Sequence, residues 1–292
     1  MILYRYAIIF LTLTITGSVV AGEMIDQTLK VPDTGILLID NSRGMVKITG
    51  WDKKEVSIQG AVDDSAHKLI FKNKGHKTLI KVVMEGVEHQ GNTSDLKVFM
   101  PKNHKLRFKG VGSSFVVVNL TNGVEGKTIN GDLTIQNVHN SLKISSVSGK
   151  ITVSDSSGKA KIQSVTGTVD FSGKFDKAKI KSTSGDIIAD IGKTHNLRIK
   201  NFSGDTTISG NLLDEAHVKL TSVSGNIHYT AKDTFSGDCS IASQFGGKIL
   251  NLLTSHDAWS EDMDERKLSF VSGDGSGKLV MNTVSGSVTL DK

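Results

Sequence analysis

Five cations recur at one position of a repeated strand pattern, and they are the residues of this chain best placed to bind a ligand. Each lies between two apolar residues of a short alternating strand, so the apolar pair faces inward and the cation outward. If equivalent strands stack about 4.8 Å apart, the cations form a stripe suited to lipopolysaccharide, an acidic polysaccharide or a phosphate backbone. The predicted binding residues are Lys143, Lys161, Lys179, Arg198 and Lys219.

A second interpretation of the same cations is a solubilising sheet face that resists edge pairing. In that case the carboxylates of Asp170, Asp186 and Asp205 on neighbouring strands would share the charge. The two interpretations differ in one measurable property, because only ligand binding predicts salt-sensitive retention on an anionic polymer.

An acidic segment and three histidines are weaker candidates. Clustered carboxylates suit Ca²⁺ and a tryptophan can stack on a sugar, but the spacing matches no calcium loop, so a solvated surface loop is expected. His139, His195 and His217 lie near the same corner of different repeats without an aligned third ligand, so no metal site and no cofactor are predicted. The acidic segment, 251–267, contains Asp257, Trp259, Glu261, Asp262, Asp264 and Glu265.

No catalytic motif is present in the sequence. The chain lacks a Gly-x-Ser-x-Gly elbow, a His-Glu-x-x-His pair and a P-loop. Polysaccharide-active β-helix enzymes need clustered carboxylates or a basic residue in a groove, and usually aromatic subsites. Here the aromatic share is 5%. A non-enzymatic protein is therefore expected, with a polysaccharide-active β-helix enzyme as the less favoured alternative.

Composition narrows the class of protein further. The 292 residues include 30 Gly and 2 Pro, and 37% are hydrophobic, which excludes a disordered linker and a collagen. A net charge of +5 is well below that of a dedicated nucleic-acid binder, so no specific nucleic-acid binding is expected. The single Cys239 cannot form an intrachain disulfide, and its alignment with the inward positions of the repeats predicts that it is buried.

The N-terminus has the pattern of a secretory signal peptide, assigned to residues 1–22. Arg5 precedes an apolar run over 7–16, and small residues around Ala21 and Gly22 suit cleavage there. The run is shorter than the roughly 20 residues of a membrane span, although an uncleaved anchor is the alternative. No transmembrane span is expected after cleavage, and a periplasmic or cell-surface location is predicted.

Regularly spaced glycines organise the rest of the chain. A phrase of a hydroxyl or amide residue, Gly, one variable residue and a short alternating strand recurs, with glycines 18, 18, 18, 19 and 21 residues apart. A fixed period near 20 residues with Val, Ile and Thr in period 2 predicts an all-β fold, a β-solenoid or parallel β-helix-like stack of 18–21-residue coils. The phrase glycines are Gly131, Gly149, Gly167, Gly185, Gly204, Gly225 and Gly286.

Two regions are predicted downstream of the signal peptide. Residues 23–110 are β-rich but less regular and are expected to cap the stack, and residues 111–292 form the repeats, interrupted by the acidic insertion 251–267. The glycines are expected to supply backbone angles closed to other residues, and the preceding Ser or Thr to bond its own turn. The segment 285–292 resembles a repeat without a cap, which keeps a self-assembling envelope scaffold as an alternative function.

Three motifs resemble a known family. Gly44-Met45-Val46-Lys47-Ile48-Thr49-Gly50-Trp51-Asp52, Leu96-Lys97-Val98-Phe99-Met100-Pro101 and the serial Ser-Gly-x-Ile phrases are similar to the putative-adhesin family, a bacterial β-strand-repeat domain of unknown function. The likeness extends over about residues 27–292. It implies an envelope-associated all-β repeat protein, and it carries over no catalytic residue. The partner expected apart from this resemblance is an anionic polysaccharide, a lipopolysaccharide or an envelope protein.

Overall fold

The described residues form an all-β structure. The computed structural model describes residues 24–84, 91–192, 194–233, 235–262 and 264–292, so the predicted signal peptide lies outside the described residues. This part of the chain contains 23 strands and no helix, which confirms the all-β prediction.

The strands follow one another through short turns. The first eight are β1 (Met24–Lys30), β2 (Ile36–Trp51), β3 (Glu55–Ala61), β4 (Ala66–Lys74), β5 (Lys77–Met84), β6 (Ser94–Pro101), β7 (Lys105–Leu120) and β8 (Val124–Asn130). The next eight are β9 (Leu133–Val138), β10 (Ser141–Ser148), β11 (Ile151–Gln163), β12 (Val169–Ser182), β13 (Ile187–Asp190), β14 (Thr194–Asn201), β15 (Thr206–Ser209) and β16 (His217–Thr221). The last seven are β17 (Ile227–Thr230), β18 (Gly237–Gln244), β19 (Ile249–Asn251), β20 (Trp259–Asp262), β21 (Glu265–Ser272), β22 (Lys278–Thr283) and β23 (Val288–Asp291).

The strands pair in two ladders, here called ladder 1 and ladder 2. Along the stack, ladder 1 contains β4, β5, the first halves of β2 and β7, β8, β10, the second halves of β11 and β12, β14, β16, β22, β18, β21 and β20. Ladder 2 contains β1, β3, β6, the second halves of β2 and β7, β9, the first halves of β11 and β12, β13, β15, β17, β23 and β19. Pairing between repeats is parallel, and antiparallel strands occur only at the two ends among the described residues.

Equivalent residues of successive repeats lie side by side. On ladder 1, Leu142 pairs with Ala160, Ala160 with Ala178, and Ala178 with Leu197. The inward side chains of both ladders belong to one buried cluster, which holds the stack together by removing apolar surface from water. Cys239 lies in the same inward position beside Leu279 and is fully buried, as predicted.

The phrase glycines stack directly on one another, and this contact explains their occurrence. A Cβ atom on Gly167 would overlap the carbonyl oxygen of Gly149, and one on Gly185 would overlap that of Gly167. Only Gly131 and Gly149 among the phrase glycines have a positive φ. The expected reason, backbone angles closed to other residues, was therefore wrong for most of them, because close approach of backbones excludes a side chain there.

Two hydroxyl positions stabilise several of the glycine corners, including those of Gly167 and Gly185. The residue directly before the glycine bonds across to the preceding repeat rather than to its own turn, as when the Thr166 hydroxyl donates to the carbonyl of Val147 at 3.1 Å. The local bond comes from a buried residue three positions before the glycine. The Gly167 amide donates to Ser164 Oγ at 3.1 Å, and the Gly185 amide to Ser182 Oγ at 3.0 Å.

The last repeat in the sequence is not the last in space. β22 lies between β16 and β18, and β23 lies between β17 and β19. The outer repeat, β18 and β19, is covered on ladder 1 by the antiparallel strands β21 and β20. The expectation that 285–292 forms an uncapped terminal repeat was therefore wrong, because β23 is paired on both sides.

The N-terminal end has the same interleaved arrangement. β2 lies between the β5 and β6 repeat on one side and β7 on the other, while β4 and β3 cover the outer repeat in antiparallel pairing. The predicted boundary at residue 110 falls inside β7, and both ladders continue across it.

Candidate binding surface

The five predicted cations form a continuous column on ladder 1, here called the basic column. The strand register pairs Lys143 with Lys161, Lys161 with Lys179, Lys179 with Arg198, and Arg198 with Lys219. Each is the outward residue between two buried ones, since Ala178 and Ile180 flank Lys179 within the core cluster. Alternation along a strand and parallel stacking together bring the five cations to one face.

Four further lysines widen the column, and the sequence analysis missed them. Lys159 pairs with Lys177 on one side of the column, and Lys181 pairs with Lys200 on the other. The phrase Lys177-Ala178-Lys179-Ile180-Lys181 contains the signal, because period 2 places all three of its lysines outward. The basic column and these four lysines are here called the basic surface.

Mutual repulsion marks the centre of the basic surface. Lys181 lowers the pKa of the Lys179 ammonium, and partial desolvation, Arg198, Lys161 and Lys200 lower it further. Within the described part of the chain, no carboxylate lies within ion-pair distance of Lys161, Lys179 or Arg198. A run of cations kept together without neutralisation is a surface that an anion would stabilise.

The N-terminal part of ladder 1 is different, because its cations have acidic partners. Glu125 occupies the column position just before Lys143, and it pairs with Lys143 at 2.8 Å and with Arg107 at 2.9 Å. The hydrogen bond from Lys143 lowers the pKa of the Glu125 carboxyl. Asp40 similarly pairs with Lys109 at 3.0 Å. The unneutralised surface therefore begins at the repeat of Lys161.

The aspartates expected to share the charge are used elsewhere. Asp170 lies 3.6 Å from Lys150 on ladder 2. Asp186 accepts a hydrogen bond from the Asp205 amide at 2.9 Å, and Asp205 accepts one from the Asn226 amide at 2.8 Å. These carboxylates link successive repeats at their corners instead of pairing with the basic column.

A shallow cavity of about 360 Å³ lies within the basic surface. Lys177, Lys179, Arg198 and Lys219 line it together with His217, the one predicted histidine that joins this surface. Ammonium and guanidinium groups around one concavity are the donors that phosphate, sulfate or carboxylate groups accept from.

The described side chains of the acidic segment and the other histidines are not gathered in a comparable cavity. Trp259 is about half exposed, and the Lys267 ammonium lies 5.7 Å from its ring centroid. The side chains of Glu261 and Asp262 lie outside the described residues. His139 Nδ1 contacts Ser157 Oγ at 2.7 Å. Among the described residues, no group of three or more His, Cys, Asp or Glu is placed to hold a metal ion.

The matching family is defined by repeats like these. The family model described as Toastrack DUF4097 matches residues 28–291. The chain belongs to the Toastrack DUF4097 family. This agrees with the resemblance found in the sequence. No curated protein gives a significant match.

Solved structures are similar to this Toastrack chain at low identity, and the first of those described next shows the same fold. A putative adhesin from Parabacteroides merdae is 13% identical, with 94% of this chain and 98% of that chain covered and a TM-score of 0.53. A putative adhesin from Parabacteroides distasonis is 14% identical, covering 92% and 97%, with a TM-score of 0.49. Another protein of that organism, described as a putative lipid binding protein, is 11% identical, covering 94% and 99%, with a TM-score of 0.48.

The described residues also contain no helix long and apolar enough to cross a membrane.

Proposed function

We propose that this chain is an exported, non-enzymatic protein that binds anionic polymers of the cell envelope through its basic surface. The observation that carries the proposal is the run of Lys161, Lys179 and Arg198 in adjacent strands without a described acidic partner. Repulsion among these groups is relieved when a polyanion lies along the column, and the strand spacing of about 4.8 Å lets one extended ligand contact several repeats.

We also infer that the two ladders are the sides of a β-solenoid. In-register parallel pairing of repeats, the stacked glycines and the single buried cluster support this architecture. A solenoid suits a polymer ligand, because equivalent contacts recur along its axis at the spacing of the repeats.

An envelope location fits the same proposal. The predicted signal peptide of residues 1–22 supports export, and a solved neighbour described as a putative adhesin fits an exported or surface protein. A periplasmic or cell-surface position places the basic surface beside lipopolysaccharide and acidic polysaccharides.

Retention on heparin agarose tests the proposal. Wild-type protein is expected to bind at low salt and to elute with NaCl, whereas the triple variant Lys161→Ser, Lys179→Ser and Arg198→Ser elutes at clearly lower salt. Loss of three cation contacts reduces the slope of log affinity against log salt by about two, by analogy with single-stranded polyanions.

A matched control separates this surface from net charge. The triple variant Lys47→Ser, Lys97→Ser and Lys248→Ser removes the same charge from exposed positions at the strands or corners of ladder 2. Its elution is expected to stay close to wild type. Equal shifts for the two triple variants, or no retention of the wild type, would contradict the proposed function.

A further inference from the structure

A row of exposed apolar side chains runs along one border of the basic surface. Ile129, Val147, Val165 and Phe202 are 45%, 45%, 40% and 57% exposed, and Val223 is partly exposed. These five residues are here called the apolar ridge. Scattered surface apolar residues need no explanation, but a contiguous row marks an interaction site.

Backbone hydrogen bonds relate the ridge residues of successive repeats to one another. The carbonyl of Val147 accepts from the amide of Thr166, the residue after Val165, at 2.9 Å. The carbonyl of Phe202 accepts in the same way from the amide that follows Val223, at 2.9 Å. Ridge residues therefore occupy equivalent positions in successive repeats, with Thr183 as the single polar position between Val165 and Phe202.

The ridge and the lysines share one concavity. A cavity of about 650 Å³ is lined by Val147, Val165 and Phe202 from the ridge and by Lys181 and Lys200 from the basic surface. Along β10 the ridge lies four residues beyond the basic column, or about 13 Å at the usual strand rise. Charge and apolar surface thus lie on neighbouring strips of the same face.

A polyanion alone does not explain this combination. A hydrated polysaccharide offers phosphate or carboxylate groups to the lysines but gives Val165 and Phe202 no apolar partner. An anionic phospholipid offers both, since its headgroup phosphate lies next to its acyl chains. Lysines at such a boundary place their ammonium groups at the headgroups while neighbouring apolar side chains enter the interface.

We propose that the basic surface and the apolar ridge together dock this protein onto an anionic phospholipid bilayer. The inference rests on the basic surface of the proposed function and adds a lipid ligand to it: Lys181 and Lys200 contact headgroup phosphates, and Val147, Val165 and Phe202 enter the interfacial region. Charge complementarity selects anionic over neutral lipid, and the ridge distinguishes a lipid layer from a soluble polyanion.

Co-sedimentation with vesicles tests the inference. The wild type is expected to sediment with phosphatidylcholine vesicles that contain phosphatidylglycerol, and to stay in solution with pure phosphatidylcholine. The ridge variant Val165→Ser with Phe202→Ser is expected to bind the anionic vesicles about tenfold more weakly, because buried apolar area is lost. Its retention on heparin agarose should remain that of the wild type.

The control variant is Ile188→Ser with Leu250→Ser, which removes two apolar residues of ladder 2, each 49% exposed. It should sediment as the wild type does, and far-UV circular dichroism should show that both double variants are folded. Vesicle binding by the ridge variant equal to wild type overturns the inference and leaves the proposed function intact. Heparin retention without any wild-type vesicle binding also overturns the inference and leaves a polysaccharide as ligand. Failure of the wild type on heparin overturns the proposed function itself.

Discussion

Ladder 1 and ladder 2 are built alike on the inside and differently on the outside. In both ladders the same parallel register brings small or branched apolar residues together in one core cluster. Outward, the same repeats place the basic column on ladder 1 but mainly neutral residues on ladder 2. The corresponding outward positions of ladder 2 are Thr152, Asp170, Ile188, Thr207 and His228.

The difference shows that the cations are not required by the sheet. Ladder 2 stacks through the same repeats with Thr152 and Thr207 at its outward positions, so a parallel ladder here needs no lysine to form. The N-terminal part of ladder 1 supports the same conclusion, because Glu125 neutralises its neighbours there. A column that is unneutralised on one ladder only is a specialised surface.

Core substitutions should lower the free energy of unfolding most, and by similar amounts on the two ladders. Ile180 on ladder 1 and Ile187 on ladder 2 are both fully buried. Ile180→Ala and Ile187→Ala should each lower the free energy of unfolding by about 2–5 kcal/mol, because each leaves a cavity. Urea unfolding measures this, and a large cost on one ladder alone would contradict a shared core.

Alkaline pH should lower the stability of the fold through one buried group on the inward face of each ladder. Burial raises the pKa of the Cys239 thiol on ladder 1 to about 12, from an ordinary 9.0, and raises that of Tyr229 on ladder 2 above its ordinary 10.0. Between the unfolded and folded pKa values the unfolded chain has lost a proton that the folded chain keeps. Stability therefore falls as pH rises above about 9, by up to about 1.4 kcal/mol per pH unit for each group.

Urea unfolding between about pH 8 and about pH 10.5 tests this sign. Cys239→Ala should flatten the decline that begins near pH 9, and Tyr229→Phe should flatten only its later part. A decline unchanged in both variants would show that neither buried group causes it.

Substitutions on the outward faces should change stability least, and there the two ladders should differ in how stability depends on salt. The thermal midpoint of the wild type should rise with NaCl, because salt screens repulsion within the basic surface. In the variant Lys161→Ser, Lys179→Ser and Arg198→Ser the rise should be smaller, whereas the ladder 2 triple variant should retain it. Identical salt responses of the three proteins in calorimetry would remove the distinction between the ladders.

Much of the fold follows from local sequence. Period 2 alternation predicts which residues are buried, and the spacing of the phrase glycines predicts which residues pair, as with Lys161 and Lys179. The alignment of Cys239 with the inward positions of the repeats also predicts its burial correctly. The buried Ser164 position was missed, because a hydroxyl residue at an inward site looks, from alternation alone, like an interruption of the apolar core.

The order of the last repeats could not be predicted. Similarity to the repeat phrase shows that β18 and β22 are equivalent to β16, but it does not show which of them lies next to β16. The structure selects β22, and the register then joins Val218 to Leu279 and Leu279 to Cys239. Neighbour choice depends on how the hairpin of β20 and β21 covers β18, which is a contact between distant segments.

The basic surface was half predicted and the apolar ridge was not. A column of identical charges is conspicuous at a fixed period. Val165 and Phe202 are less conspicuous, because an apolar residue two positions before a glycine resembles a core residue until the corner geometry turns it outward.

The interleaved C-terminal repeats give the stack an order of completion. A repeat added after β23 could not pair with β23, since both sides of β23 are already paired. A chain emerging from synthesis can stack its repeats one after another as far as β17, but β18, already paired with β21, reaches its parallel neighbour only when β22 is made. The parallel ladders at this end are therefore completed in a late step, when β22 and β23 take their places between the neighbouring strands. Until then the edges of β16 and β17 stay open to other strands.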